Sequence, residues 1–172
     1  MSAQPSSSVT RFYEELWNGG KLDIAPQILQ PRCTTHQLLL GATAEPIVRT
    51  PEEIAQHVIQ WQSGFSDFKF VIRQIVVGGD RCACESTFTG THDGPFMGIS
   101  ATNRRVSIES ISIYRLEEGR IAEDWVLTDL YSLLNQLGVL PPLPELLRQW
   151  ALGRPHQAPA PAGPIFPTHD GP

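Results

Sequence analysis

Proton-transfer chemistry has few places to come from in this chain. Its five histidines are scattered without metal-ligand spacing. His57 lies in the middle of an otherwise apolar helical stripe made by Ile54, Val58, Trp61 and Phe65. Asp124 falls in a segment with strand alternation, which puts Asp124, Val126 and Thr128 on one face and Glu123, Trp125 and Leu127 on the other. In the segment before it Ser110, Ser112 and Tyr114 share a face. A carboxylate withdrawn from water has a raised pKa and becomes a base near neutral pH, with a histidine or a phenol as its partner. Each residue also has a plainer reading. A lone histidine on an apolar helical face is more often a satisfied core group, an aspartate near a cavity mouth can simply be solvated, and Tyr114 can be core. Trp17 and Trp61 read as wall or core.

These side chains have to be placed by helices that come first and strands that follow. Val9, Phe12, Tyr13, Leu16 and Trp17 form one apolar stripe over a helix from about Ser8 to Trp17, stopped by Asn18-Gly19-Gly20. A short helix is expected over Leu22 to Leu29, ended by Pro31. Thr50-Pro51-Glu52-Glu53 predicts a third helix, with a capping hydroxyl, a proline at the first position and a glutamate at the third. The period then changes to two. Strands are expected over Phe68 to Val77, Arg81 to His92, Arg105 to Leu116 and Ile121 to Thr128, followed by a helix from Asp129 to Leu137 and a short one from Glu145 to Leu152. Helices before consecutive antiparallel strands predict an α+β domain with the helices on one face of a curved sheet, a concave arrangement that suits a small-molecule site.

Composition narrows the partners. The 172 residues carry a net charge of −5 with no basic stripe, which argues against nucleic acid or an anionic membrane. The N-terminus does not read as a signal peptide and no apolar run is long enough to span a bilayer, so a cytoplasmic protein with three reduced, buried cysteines is expected. Residues 1–7 read as a flexible N-terminus, 8–140 as the domain and 141–172 as a proline-rich extension.

Four blocks in order, FYEELWNGGKLD, FSDFKFVIRQIVVGGDRC, FTGTHDGPFMGISATNRRV and ISIYRLEEGRIAEDWVLTDLYSLLNQLG, resemble the SnoaL-like polyketide cyclases from about Val9 to Gly138. The resemblance implies the NTF2-like cone, a curved antiparallel sheet (α+β barrel) with N-terminal helices enclosing a pocket. It also implies ring closure without metal or organic cofactor, by a carboxylate with a histidine partner inside an apolar chamber. The family's catalytic aspartate and histidine fall on Val126 and Ser112, which cannot move a proton in the same way, so the standard aldol mechanism does not carry over. Position 126 lines the chamber in the family, so Asp124, one pleat away, is expected to look inward. His57 also matches a lining position.

A relocated pair, Asp124 with His57, is therefore expected. Trp17, His36, Trp61, His92, Ser110, Ser112, Tyr114 and Val126 are expected around the substrate. Hydrogen bonding in the G-T-H-x-G motif is an equal reading for His92, and Asp129 is expected to cap a helix. The function that follows is a cyclase or isomerase acting on a largely apolar polyketide-like intermediate. A non-catalytic binding protein and a purely structural subunit remain the alternatives. A homodimer or higher homo-oligomer through the open sheet face, where Trp125 and Leu127 point outward, is implied as well.

Overall fold

Thr50 starts the third helix as its sequence predicts. Its hydroxyl accepts from the Glu53 N–H at 3.3 Å while the Glu53 carboxylate accepts from the Thr50 N–H at 2.7 Å, closing a capping box. The computed structural model describes residues 5–37 and 45–154, so the reading of 155–172 lies outside the described residues. Helix α1 covers Pro5–Arg11, a π-helical turn follows over Phe12–Trp17, and a 3₁₀ turn over Leu22–Ile24 leads into α2, Ala25–Ile28. Strand β1 is Leu29–Gln37, β2 Ile47–Arg49, and α3 Pro51–Gly64. Strands β3 (Lys69–Gly78), β4 (Arg81–Thr91), β5 (Arg105–Glu117) and β6 (Arg120–Thr128) precede α4, Leu130–Gln136, and α5, Leu143–Ala151.

The predicted apolar stripe of the first helix is buried in full: Val9, Phe12, Tyr13, Leu16 and Trp17. Its second half is nevertheless wound as a π-helix, with the Asn18 N–H reaching back five residues to the Tyr13 carbonyl at 2.9 Å. The Asn18 side chain then behaves like a short piece of strand. Its amide donates to the Phe70 carbonyl at 2.9 Å and accepts from the Phe70 N–H at 2.7 Å. That double bond ties the helix to the outermost strand.

Among the described residues, six strands form one curved, unclosed sheet in the order β2-β1-β6-β5-β4-β3. Two strands extend the four expected. Pro31 does not end a helix but sits inside β1, where the register with β6 shifts between Leu29 and Thr34. A proline has no N–H to give the ladder, and the shift falls where one is missing. β1 runs parallel to β6, whereas the remaining pairs are antiparallel.

Burial along β5 alternates strictly. Val106, Ile108, Ser110, Ser112, Tyr114 and Leu116 are buried under the helices, while Ser107, Glu109, Ile111 and Ile113 are exposed on the convex side. Two apolar cores share the helix-covered face. One gathers the first helix, Ile54 and Val58 against Cys82, Cys84 and Tyr114; the other gathers Phe65, Phe88 and Phe96 with Leu133 and Leu137. Trp61, Phe68 and Phe70 pack against both. Burying one such side chain contributes roughly 1.5–3 kcal/mol, so the two clusters fix α3 firmly over the sheet.

Candidate active site

Pairing between β5 and β6 sets the site's geometry. Ser112 stands opposite Val126, Tyr114 opposite Asp124 and Ser110 opposite Thr128, so all six share the helix-covered face. On the other side of β6, Thr35 of β1 is the partner of Asp124. Asp124 as a residue is only half-buried, yet its Oδ1 is closed to solvent and has no hydrogen-bond partner among the described residues. Burial raises its pKa to about 6, against the pull of the Thr35 hydroxyl, the Arg49 guanidinium and the His36 ring, with Glu123 adding to the rise. A carboxylate in that state exchanges protons close to neutral pH.

His57 lies on the inward side of α3, half-buried. The Trp61 indole N–H donates to its Nε2 at 3.2 Å. An indole can only donate, so Nε2 is the bare nitrogen and the ring proton belongs on Nδ1. Burial first and the Arg49 charge second lower the His57 pKa to about 4, while a Gln60 hydrogen bond pulls the other way. The ring is neutral at physiological pH and its basic nitrogen is occupied. The Trp17 ring meets it edge-on with centroids 5.9 Å apart. No hydrogen bond joins His57 to Asp124. The two stand as separate groups, with His57 able to donate from Nδ1.

Beneath them lies a floor of buried hydroxyls. The Tyr114 hydroxyl donates to that of Tyr13 at 2.8 Å, and Tyr13 donates to Ser112 Oγ at 3.5 Å. Burial pushes Tyr13 up to about 12 and Tyr114 well above the usual phenol range. Both therefore stay protonated. Ser110 donates to the Leu127 carbonyl at 3.3 Å, which ties it to the β5–β6 ladder. Val126 is half-buried beside Asp124. Trp61 also reaches the second core, with its ring 4.6 Å from that of Phe96.

Two of the residues expected around the substrate lie elsewhere. His36 is paired with Trp125, on the convex face; its ring stacks on that indole at 4.7 Å and its Nε2 bonds Glu123 Oε1 at 2.8 Å. The cause is register: Thr35, not His36, shares the face of Asp124. His92 is wholly buried in the second core, 5.3 Å from the Phe65 ring. Its Nδ1 accepts from the Thr102 N–H at 3.2 Å, its carbonyl accepts from the Asn103 N–H at 2.8 Å, and its own N–H donates to the Arg104 carbonyl at 2.9 Å. It pins both ends of the loop that contains the Phe96–Ile99 turn, the hydrogen-bonding alternative for that motif. Asp129 caps α4 through the Ser132 N–H at 2.9 Å. Sequence reading missed Tyr13, Thr35 and Arg49. Tyr13 was visible only as one member of an apolar stripe, and the other two enter through strands whose pairing leaves no mark in residue spacing.

This chain belongs to the SnoaL-like polyketide cyclase family, which it matches over residues 7–137, and the family-level activity is that of a cyclase-type enzyme. Among its relatives, aklanonic acid methyl ester cyclase DauD of Streptomyces sp. strain C5 is 29% identical over 147 residues, covering 82% of this chain and 86% of DauD. The DnrD enzyme of the same description from Streptomyces peucetius is 30% identical over 145 residues, 80% of this chain and 93% of DnrD. Among solved structures, IdmH from Streptomyces antibioticus superposes with a TM-score of 0.68 at 30% identity, covering 80% of this chain and all 100% of IdmH.

Proposed function

We propose that this protein closes a ring in a largely apolar, polyketide-like intermediate without a cofactor, using Asp124 as the base in place of the family's usual pair. One observation carries the reading: Asp124 Oδ1 is a buried carboxylate oxygen with no partner, on the face that the helices cover, with a pKa near 6. Removing a proton from carbon needs a base of that strength held away from water. Val126 and Ser112, at the two family positions, sit one pleat along the same ladder. The base is thus displaced by two residues while keeping its side of the sheet. Trp17, His57 and Trp61 pack together as an aromatic cluster, with His57 as a neutral donor. The kinship with two aklanonic acid methyl ester cyclases supports that ester as the first substrate to try.

The test is turnover of that ester by the purified protein in chelator-treated buffer, followed by chromatography of the product. Wild-type turnover together with loss of it in Asp124→Asn supports the reading. Equal turnover by both proteins removes Asp124 as the base, and tight binding without turnover makes the protein a carrier of the same fold.

The convex face carries exposed Ile111 and Ile113 on β5, Leu127 opposite Ile111 on β6, and Val76 on β3, in the row of Ile113 with Ala83 of β4 between them. We assign it to contact with a second copy of the chain, since an apolar patch of this kind is costly to leave in water.

A further inference from the structure

This inference rests on Asp124 being the base and asks what stabilises the charge it creates. β2 pairs with β1 through Cys33 and Arg49, and β1 pairs with β6 through Thr35 and Asp124. Paired residues share a face, and Cys33 and Thr35 are two apart on one strand. Arg49, Cys33, Thr35 and Asp124 therefore all lie on the helix-covered side. Arg49 is half-buried, and among the described residues its guanidinium makes no ion pair or hydrogen bond. Arg11, Arg105, Arg115, Arg120 and Arg148 each pair with a carboxylate, and the other arginines without an ion pair among the described residues, Arg32, Arg73, Arg81, Arg104 and Arg154, are exposed, whereas Arg49 is not. The chain has 18 acidic against 13 basic residues, so an unpaired arginine does not come from a shortage of partners.

The charge of Arg49 is felt at three places around the site. It lowers the pKa of Asp124, of His57 and of Cys33. The other charged groups around Asp124 are His36 and Glu123, which bond each other on the convex face. Tyr114, opposite Asp124, is neutral. Arg49 is thus the one fixed cation among the charged groups facing Asp124 from the described elements, and a guanidinium keeps its proton at any working pH.

We propose that Arg49 holds the acidic oxygen of the substrate, the enolate oxygen of a 1,3-dicarbonyl unit whose C–H proton Asp124 takes. The C–H bond breaks, the proton passes to the Asp124 carboxylate, and the electron pair moves into the carbonyl, whose oxygen then carries the negative charge beside the guanidinium. A forked donor of fixed charge suits that oxygen better than a neutral hydroxyl. Substrates of this site are accordingly 1,3-dicarbonyl compounds rather than isolated ketones.

The experiment uses benzoylacetone, a 1,3-diketone whose enolate absorbs at longer wavelength than its neutral forms, titrated with pH in the presence of the full-length protein. Wild type lowers the apparent pKa of the bound diketone by about one unit or more, a tenfold gain in ionisation. Arg49→Met abolishes the shift and, by NMR, raises the pKa of His57. Arg49→Gln serves if the methionine variant melts early. An unshifted diketone on the wild type, or the same shift on both arginine variants, overturns the proposal. If the arginine variants ionise the probe normally while Asp124→Asn has lost turnover, the base stands and the oxygen site falls. If the shift depends on Arg49 but Asp124→Asn turns over freely, the reading of the base falls instead.

Discussion

Tyr114 and Asp124 face each other across the β5–β6 ladder, yet the phenol gives its proton to Tyr13 rather than to the carboxylate. Burial, then the neighbouring Tyr13 and then Asp124, hold Tyr114 well above the ordinary phenol range. The result is a neutral donor turned away from an acceptor that has been left bare. Satisfying Oδ1 would have made Asp124 a weaker base, so the separation preserves its reactivity.

Asp124 sets the acid limb of activity. With a pKa of about 6, kcat/KM should rise as pH increases through that value and then level off. Replacement by asparagine should lower turnover by about 10²–10⁴-fold, the usual worth of a positioned base. The stability change has the opposite sense. The folded-state pKa lies above the unfolded value of 3.8, so the native state binds the extra proton between about pH 4 and 6 and loses stability as pH rises through that window. Asp124→Asn should therefore unfold later than wild type at pH 7–8, by up to about 3 kcal/mol. Urea denaturation at pH 4.5 and 7.5 measures the difference, and an asparagine variant less stable at pH 7.5 contradicts the assignment.

His57 carries the complementary dependence. Its folded-state pKa of about 4 lies below the unfolded value of 6.5, so the unfolded chain takes up the proton first and stability falls as pH drops from about 6.5 towards 4. His57→Phe should remove that acid sensitivity while filling the space beside Trp17. Melting curves at pH 5 and 7 for the two proteins should show the variant gaining stability relative to wild type at pH 5, since only the Asp124 dependence, which has the opposite sign, remains. A variant that keeps the wild-type slope would show that the ring is charged in the folded protein.

The hydroxyl floor should be worth little to stability. Tyr114→Phe deletes the 2.8 Å bond to Tyr13 but keeps the ring packed on Phe12, so a loss of about 1 kcal/mol and a drop of about 2–4 °C in Tm are expected. Calorimetry decides this. A loss several times larger would mean that the hydroxyl chain, not the ring, anchors the first helix.

The convex face gives the assembly prediction. Ile113→Asp combined with Leu127→Asp places two charges on the exposed apolar surface without touching the covered face. Sedimentation velocity should show a dimer for wild type and a monomer for the double variant. A wild-type monomer at micromolar concentration would remove the second copy from that face.

The strands β3 to β6 were legible from their β-branched and aromatic runs and the turn residues between them, although only β5 alternates strictly, and their observed ends fall within a residue or so of those read from the sequence. The capping box of α3 was legible because Thr50 and Glu53, three positions apart with Pro51 between them, carry it. Alternation put Asp124 on the face of Val126 and Thr128, and the family resemblance marked that face as the inward one. What stayed hidden depends on pairing between distant segments. Nothing in the sequence marks β2, or the parallel match of β1 with β6, and both His36 and Arg49 take their faces from those pairings. The π-winding after Arg11 was hidden too, because the apolar spacing fits an ordinary helix equally well.

β3 forms one margin of an open sheet, where exposed backbone groups can recruit strands from other molecules. By lending its amide to both peptide groups of Phe70, Asn18 occupies one rung of that margin permanently. An incoming strand would have to evict the amide, and with it loosen the end of the first helix. The same side chain that joins helix to sheet thus acts as a guard against unwanted polymerisation along this border.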